Sequence, residues 1–267
     1  MVKLEDEIQM NILVTFAVDA EFEPWRALRS FKRVRVNSKH WSGGAEVQET
    51  QIGEHLVWVF LTGIGIKSFD FALGSCFKNA DVKMVLSSGL AGSLKAEYSP
   101  SDIVVPLKVG SLRDATGSPT TAGLVVLAKR RGAKVVDVLL TADRIVDTRE
   151  EKRRLAVFAD VVDMESRHVM SEFSDQNLPV ATIRAISDSS DEDLPVDFAK
   201  CLTEQGQIRK GALLKELLEH PGKVPELVRF GRQSRDAAKE LAMFLDGFIL
   251  ALTPDIFEND VTEAAAR

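Results

Sequence analysis

Apolar and polar positions follow two alternating rhythms along this 267-residue chain. Short runs rich in Val, Ile and Leu recur at Ile12–Val18, Leu56–Leu61, Met84–Leu86, Ile103–Leu107, Val135–Leu140, Val161–Met164 and Val180–Ile186. Such apolar, β-branched runs predict strands buried on both faces. Between them, Phe69–Asn79, Gly123–Arg131, Arg149–Phe158 and Glu165–Phe173 carry apolar residues at spacings of three and four, which predicts helices. Strand alternating with helix predicts one α/β domain: a central twisted sheet, mixed or mostly parallel, flanked by helices on both faces.

From Val196 onward the rhythm becomes helical throughout, and it predicts helices over Gln207–Glu219, Val224–Phe230 and Ser234–Leu250. Pro221-Gly222 punctuates the first pair. Each piece is too short to hold a core alone, so we expect a C-terminal helical extension, within residues 204–251, packed on the α/β body. The domain then spans 11–251, and the termini, 1–10 and 252–267, are expected to be poorly ordered. No internal repeat of fixed period is present.

Composition narrows the class. Hydrophobic residues make up 45% and charged residues 28%, an ordinary globular balance. Lys plus Arg number 34 against 40 Asp plus Glu, a net charge of −6 that disfavours nucleic acid or an anionic membrane surface as partner. No run reaches the roughly 18 apolar residues of a membrane span, so no stable membrane insertion is expected. Met1–Met10 carries Lys3, Glu5, Asp6 and Glu7 and does not read as a signal peptide. Only Cys76 and Cys201 are present, without the spacing of a zinc cluster or a disulfide framework. A reducing, cytoplasmic setting is the expectation.

Candidate chemistry gathers where strands end. Gly63-Ile64-Gly65 follows one predicted strand and precedes a predicted helix, where backbone N–H groups can approach an anion or a ribose. The third glycine of a dinucleotide fingerprint is missing, with Ser68 in its place, and a tight turn explains the pair equally well. A second glycine-bearing stretch, Ser87-Ser88-Gly89-Leu90-Ala91-Gly92-Ser93-Leu94, reads as a loop after the next strand. In an open α/β sheet ligands bind beyond the carboxyl ends of strands, so two such loops point to a small-molecule pocket. Three acids, Glu21, Glu165 and Asp188, follow strands in the same way. Each alone reads as a helix cap or a solvated charge; together they could supply acid and base to one pocket. Asp188, Asp191, Glu192 and Asp193 lack the spacing of a calcium loop, and Glu165 with His168 is a single Glu-x-x-His pair, so no metal site is expected. There is no G-x-S-x-G nucleophile elbow.

Four motifs, in order, resemble the nucleoside phosphorylase and nucleosidase superfamily, nearest its methylthioadenosine/S-adenosylhomocysteine nucleosidase branch. They are Ala17-Val18-Asp19-Ala20-Glu21; Thr62-Gly63-Ile64-Gly65; Ser88-Gly89-Leu90-Ala91-Gly92-Ser93-Leu94 with Ser101-Asp102-Ile103-Val104-Val105; and Val162-Asp163-Met164-Glu165 with Arg184-Ala185-Ile186-Ser187-Asp188. The resemblance covers roughly residues 11–200. It implies a phosphorylase/hydrolase-like fold, a small-molecule nucleoside substrate, no metal or organic cofactor, and a homodimer.

By the same resemblance Asp188 protonates the leaving base, Glu165 accepts hydrogen bonds from ribose hydroxyls, and Glu21 orients the attacking water. Met164 packs beside the sugar, while Ser88, Gly89, Ala91, Gly92, Thr62, Gly63 and Ile145 border the substrate. Ser87 stands where the phosphorylase branch has a phosphate-binding arginine, which favours water, although Arg26 and Arg29 follow Glu21 closely enough to reach inward. Asp143-Arg144-Ile145-Val146 replaces the family's purine-stacking aromatic residue. The helical extension, with Leu218-Glu219-His220-Pro221 and Val224-Pro225-Glu226-Leu227, is more like the superfamily's hopanoid-associated subgroup, which implies removal of adenine from a lipid-linked adenosine. A phosphorolytic enzyme, a nucleoside-binding module without turnover and a nicotinamide-dependent oxidoreductase remain the alternatives.

Overall fold

The computed structural model describes residues 9–36, 45–66, 80–174, 178–196 and 221–253, with isolated positions 77, 176, 198, 209 and 256. Along them run β1 (Asn11–Phe16), α1 (Asp19–Leu28), β2 (Lys32–Val36), β3 (Ala45–Ile52), β4 (His55–Leu61), β5 (Val82–Ser93), β6 (Ile103–Ser111) and β7 (Asp114–Pro119). The second half contributes α2 (Ala122–Arg130), β8 (Lys134–Thr141), α3 (Arg149–Leu155), β9 (Val161–Asp163), α4 (Ser166–Ser174), β10 (Val180–Asp188) and α5 (Val224–Leu250).

All of these strands join one mixed sheet in the order β10-β6-β8-β9-β5-β1-β4-β3-β2, with β7 beside β6. A further pairing of β10 with β5 closes β5, β10, β6, β8 and β9 into a ring. The parallel series β4–β1–β5–β10 is the one the apolar runs predict. Every residue of β10 is buried, as are five of the six in β1, because neighbouring strands and packed layers cover both their faces. One core layer gathers Ile12, Val14, Met84, Leu86 and Ile183 with Leu241, Leu245 and Phe248 of α5; the other holds Leu13, Val85, Val104, Leu139, Val161 and Ile186.

Three strands escape the apolar-run criterion. β2 (KRVRV) and β7 are polar, and β3 (AEVQETQI) buries Ala45 and Val47 on one face and Thr50 and Ile52 on the other, with polar residues between them. The predicted loop at Ser87–Leu94 is instead, as far as Ser93, the continuation of β5, paired with β10 from Val85 to Gly92 and with β9 at Gly92 and Ser93. Backbone hydrogen bonding on both sides holds this stretch extended despite its glycines. The two segments expected at Val224–Phe230 and Ser234–Leu250 are one 27-residue helix, α5, in which Gly231 is tolerated and Pro225 sits in the first turn, where it costs no hydrogen bond.

The second half of α5 buries Ala237, Ala238, Leu241, Ala242, Leu245, Phe248 and Ile249, the stripe expected of a helix lying on a sheet. Its Asp246 accepts from Arg29 Nε at 2.6 Å and Nη2 at 2.8 Å, and so fastens α5 to the end of α1. Met10 and Leu252 are buried in the core. The helices predicted at Phe69–Asn79 and Gln207–Glu219 lie outside the described residues apart from Phe77 and Arg209, as do Cys76, Cys201 and most of both termini. No described helix is long and apolar enough to cross a membrane.

Candidate active site

β1 ends at Phe16 and the chain turns directly into α1, which makes Glu21 the third residue of that helix. From there its carboxylate reaches back to the unpaired donors at the helix start: Oε2 accepts from Ala17 N at 2.9 Å and Val18 N at 3.2 Å. Oε1 accepts from Leu90 N on β5 at 2.9 Å. Burial pushes Glu21 above the usual carboxylate range, and these three N–H groups and the nearby Arg184 guanidinium pull against it.

Gly89 explains why β5 can approach so closely. Its φ of +144° disfavours any side chain, and a Cβ there would lie 2.7 Å from Arg184 Nη1 and 2.9 Å from Glu21 Oε1. Arg184 itself is buried in β10, where Nε donates to Asp163 Oδ2 at 2.9 Å and Nη2 donates to Ser87 Oγ at 3.1 Å and Ser166 Oγ at 2.9 Å. Asp163, at the end of β9, also accepts from Thr141 Oγ1 at 2.8 Å and from the Ser166 hydroxyl. The guanidinium is thus held by a buried anion and two hydroxyls.

Glu165 follows β9 and enters the same cluster, where Oε1 accepts from Gly65 N at 2.8 Å. Gly65 takes φ +70° in the short turn after β4, which aims its N–H at the carboxyl. Burial first, then the charges of Asp163 and Glu21, push the Glu165 carboxyl up to about 8, against the pull of Arg184 and the Gly65 N–H. Thr62 and Gly63 continue from β4 beside the end of β1, with Thr62 N bonded to Phe16 O and Gly63 N to Ala17 O, each at 2.9 Å. The half-buried Met164 separates Asp163 from Glu165.

Asp188 closes the other end, at the last position of β10. Its Oδ1 accepts from Ser187 Oγ at 2.6 Å and its Oδ2 from Lys152 Nζ at 2.5 Å. Gly92 lies against it, since a Cβ there would be 3.0 Å from Asp188 Oδ2. Gly89 meets Glu21 and Gly92 meets Asp188, and the two glycines are separated by about 10 Å of extended strand. Ile145 is half-buried in the connection after β8, which is tied to the segment after Asp188 by Leu194 N to Asp147 O and Arg149 N to Asp193 Oδ1, both 2.7 Å.

Not every expected position joins the cluster. Alternation along β5 puts Ser87 with Arg184 and turns Ser88 to the opposite face, where its buried hydroxyl has no hydrogen-bond partner among the described residues. Ala91 is buried, and its carbonyl lies 3.2 Å from Ser187 Oγ. Arg26 and Arg29 do not reach inward: Arg26 pairs with Asp19 at 2.6 Å and Arg29 with Asp246 at 2.6 Å. Three participants went unassigned by sequence reasoning. Arg184 carried a signal, a charge inside an otherwise apolar strand run, which must find a buried partner. Lys152, in the run Arg149–Arg154, looks like one more solvated helix charge, and Gln233, whose Nε2 donates to Ser187 O at 2.7 Å from α5, had no signal at all. Among the described residues no group of three or more His, Cys, Asp or Glu side chains could hold a metal ion.

The fold built around this ring of strands is that of a known class. The chain belongs to the phosphorylase superfamily, whose family model matches residues 11–219. Among solved structures it is similar to a futalosine hydrolase mutant of Helicobacter pylori strain 26695, with 21% identity and a TM-score of 0.67, covering 92% of this chain and 100% of that one. It is similar in the same way to the 5′-methylthioadenosine/S-adenosylhomocysteine nucleosidase of Helicobacter pylori in complex with butyl-thio-DADMe-Immucillin-A, at 21% identity, TM-score 0.66 and the same coverage. The S-adenosylhomocysteine nucleosidase of Streptococcus pyogenes, in complex with 5-methylthiotubericidin, aligns at 14% identity and TM-score 0.68 over 93% of this chain and 100% of its own. At these identities the likeness establishes the fold. No curated protein matches the chain in sequence.

Proposed function

We propose that this protein hydrolyses the N-glycosidic bond of a purine-type nucleoside derivative, with adenine as the base, without a metal or organic cofactor and as a homodimer. The observation that carries the reading is the convergence of Glu21, Glu165 and Arg184 at one end of the glycine-bearing segment of β5, with Asp188 at the other. Two of these solved neighbours are nucleosidases by name, which supports the substrate class.

In this reading Asp188 delivers a proton to the departing base, and Glu165 accepts hydrogen bonds from the ribose hydroxyls and, as an anion, favours the cationic sugar that develops as the C1′–N bond breaks. Glu21 holds the attacking water and takes its proton; a carboxylate made more basic by burial suits that task. Water is favoured over phosphate because the nearby arginines are already paired: Arg26 with Asp19, Arg29 with Asp246 and Arg184 with Asp163. A phosphate anion about 4 Å from an ionised Glu21 would meet roughly 4 kcal/mol of repulsion per charge pair at an effective dielectric near 20.

The test is incubation with a panel of adenosine derivatives with and without phosphate, reading free base and sugar product. Free base with the free sugar derivative, at a rate indifferent to phosphate, is the expected result. A phosphate-dependent rate with a sugar 1-phosphate makes the protein a phosphorylase, and tight binding without turnover makes it a nucleoside-binding module.

A further inference from the structure

Lys152 is fully buried on α3, and its ammonium has an acceptor for each of its three protons: Asp188 Oδ2 at 2.5 Å, Ser189 O at 2.7 Å and Glu192 O at 3.0 Å. A lysine is almost never placed so deep unless it is paired. Its partner is the carboxylate assigned above to protonation of the base. The other oxygen of that carboxylate accepts from the Ser187 hydroxyl. Asp188 therefore stands between two donors, and the proton nearest to it that can be given away is on Lys152 Nζ.

We propose that Lys152 supplies the proton that Asp188 passes to the leaving base. This rests on the nucleosidase reading and assigns a positioning residue, one that acts through Asp188 and does not touch substrate. As the C1′–N bond breaks, its electron pair goes to the base. A proton moves from Lys152 Nζ to Asp188 Oδ2, and the carboxyl gives up a proton to the base nitrogen. Lys152 is left as a neutral amine, Asp188 again as a carboxylate, and the base leaves neutral. The attacking water gives its hydroxyl to C1′ and its other proton to Glu21, which releases that proton to solvent as one returns from solvent to Lys152. A departing purine anion is far more basic than a carboxylate and comparable with an amine, so an ammonium is a competent ultimate donor. Asp188 also borders a small cleft lined by Glu192, Glu226, Arg229 and Gln233, on the side from which the pair can be reprotonated.

The competing role is a staple: the two carbonyl contacts alone would make Lys152 a tie for the segment after Asp188. Leaving-group dependence separates the two. The full-length protein and its Lys152→Gln variant, which can still donate to those carbonyls, are assayed on a purine riboside and on 4-nitrophenyl riboside, whose phenolate departs without a proton. On the purine substrate kcat is expected to fall by about 100-fold or more, and the loss on the nitrophenyl substrate to be smaller by about tenfold or more. Equal losses on both substrates leave only the staple and overturn the inference, as does an unchanged purine rate. Should Lys152→Gln fail to fold, Lys152→Met combined with Asp188→Asn, which removes both charges, is compared with Asp188→Asn alone: no further loss supports one shared proton path, and an added loss of tenfold or more overturns it, on the order expected of independent groups. A wild-type protein that releases base from no nucleoside overturns the function itself, a result distinct from all of these.

Discussion

Arg184 and Asp163 form an ion pair across neighbouring parts of the ring, at 2.7 Å, with both side chains 1% exposed. The pair sets the geometry of the candidate site, because the same guanidinium borders Gly89 and lies near Glu21 and Glu165. An arginine here is anchored on one side by a full negative charge, leaving its field directed at the two glutamates.

Removing one partner strands a buried charge. Arg184→Met is expected to cost about 3–5 kcal/mol of stability, the range found when a buried pair is broken from one side. Urea unfolding monitored by far-ultraviolet circular dichroism measures it, and a loss below about 1 kcal/mol, typical of exposed pairs, would contradict the buried geometry.

Gly89 is expected to tolerate no side chain. Its φ of +144° strains alanine, and the added Cβ would press on both Arg184 Nη1 and Glu21 Oε1. Gly132 is the control, since its φ is +100° but nothing lies within 4 Å of its Cβ position. Backbone strain of about 1–3 kcal/mol should appear in both alanine variants. Loss of turnover should appear in Gly89→Ala alone, and equal turnover in the two would show that the close approach is unimportant.

Glu165 makes stability depend on pH. Its carboxyl is raised from an ordinary 4.5 to about 8, so between these values the folded protein holds a proton that the unfolded chain has released. The stabilisation is fully present below about pH 4.5 and is lost as pH rises through 8. Glu21, also raised, adds a change of the same sign. Wild-type Tm should therefore fall between pH 6 and pH 9, and Glu165→Gln should flatten part of that fall, on the order of the linkage slope of one proton. A Tm that rises over this interval in the wild type would refute the assignment.

A carboxyl raised to about 8 is mostly protonated at pH 7, so a cationic mimic of the developing sugar is expected to ionise Glu165 on binding. Calorimetric titration near pH 7 in two buffers of different ionisation enthalpy should show proton release on binding such a mimic, and none with Glu165→Gln. Identical heats in the two buffers for the wild type would place the proton elsewhere.

Asp188→Asn keeps the shape of the side chain and removes its capacity to relay a proton. Base release should slow by about 100-fold to 10,000-fold while nucleoside affinity changes little. Near-normal turnover would remove Asp188 from the protonation step. Lys152 loses its anion in this variant, so a fall in Tm is expected alongside, and calorimetric affinity confirms that the site persists.

The sequence by itself determined the frame. Apolar runs such as Ile12–Val18 and Val180–Ile186 could only be satisfied by burial on both faces, which fixes a sheet with covering layers; β1 and β10 lie within them or end no more than two residues beyond. It also marked the motifs that carry Glu21, Glu165 and Asp188, because their residue types and order along the chain are local properties. β2 and β7 are polar and carry no such apolar run. Tertiary structure alone decided the rest. That Ser87–Ser93 is strand and not loop depends on hydrogen bonds from β9 and β10, distant in the chain. Which side Ser88 faces depends on the register that those bonds impose. Whether Lys152 is a solvated charge or the buried partner of Asp188 depends on how α3 docks against the end of β10, and a buried charge acquires its meaning only from the groups that fold around it.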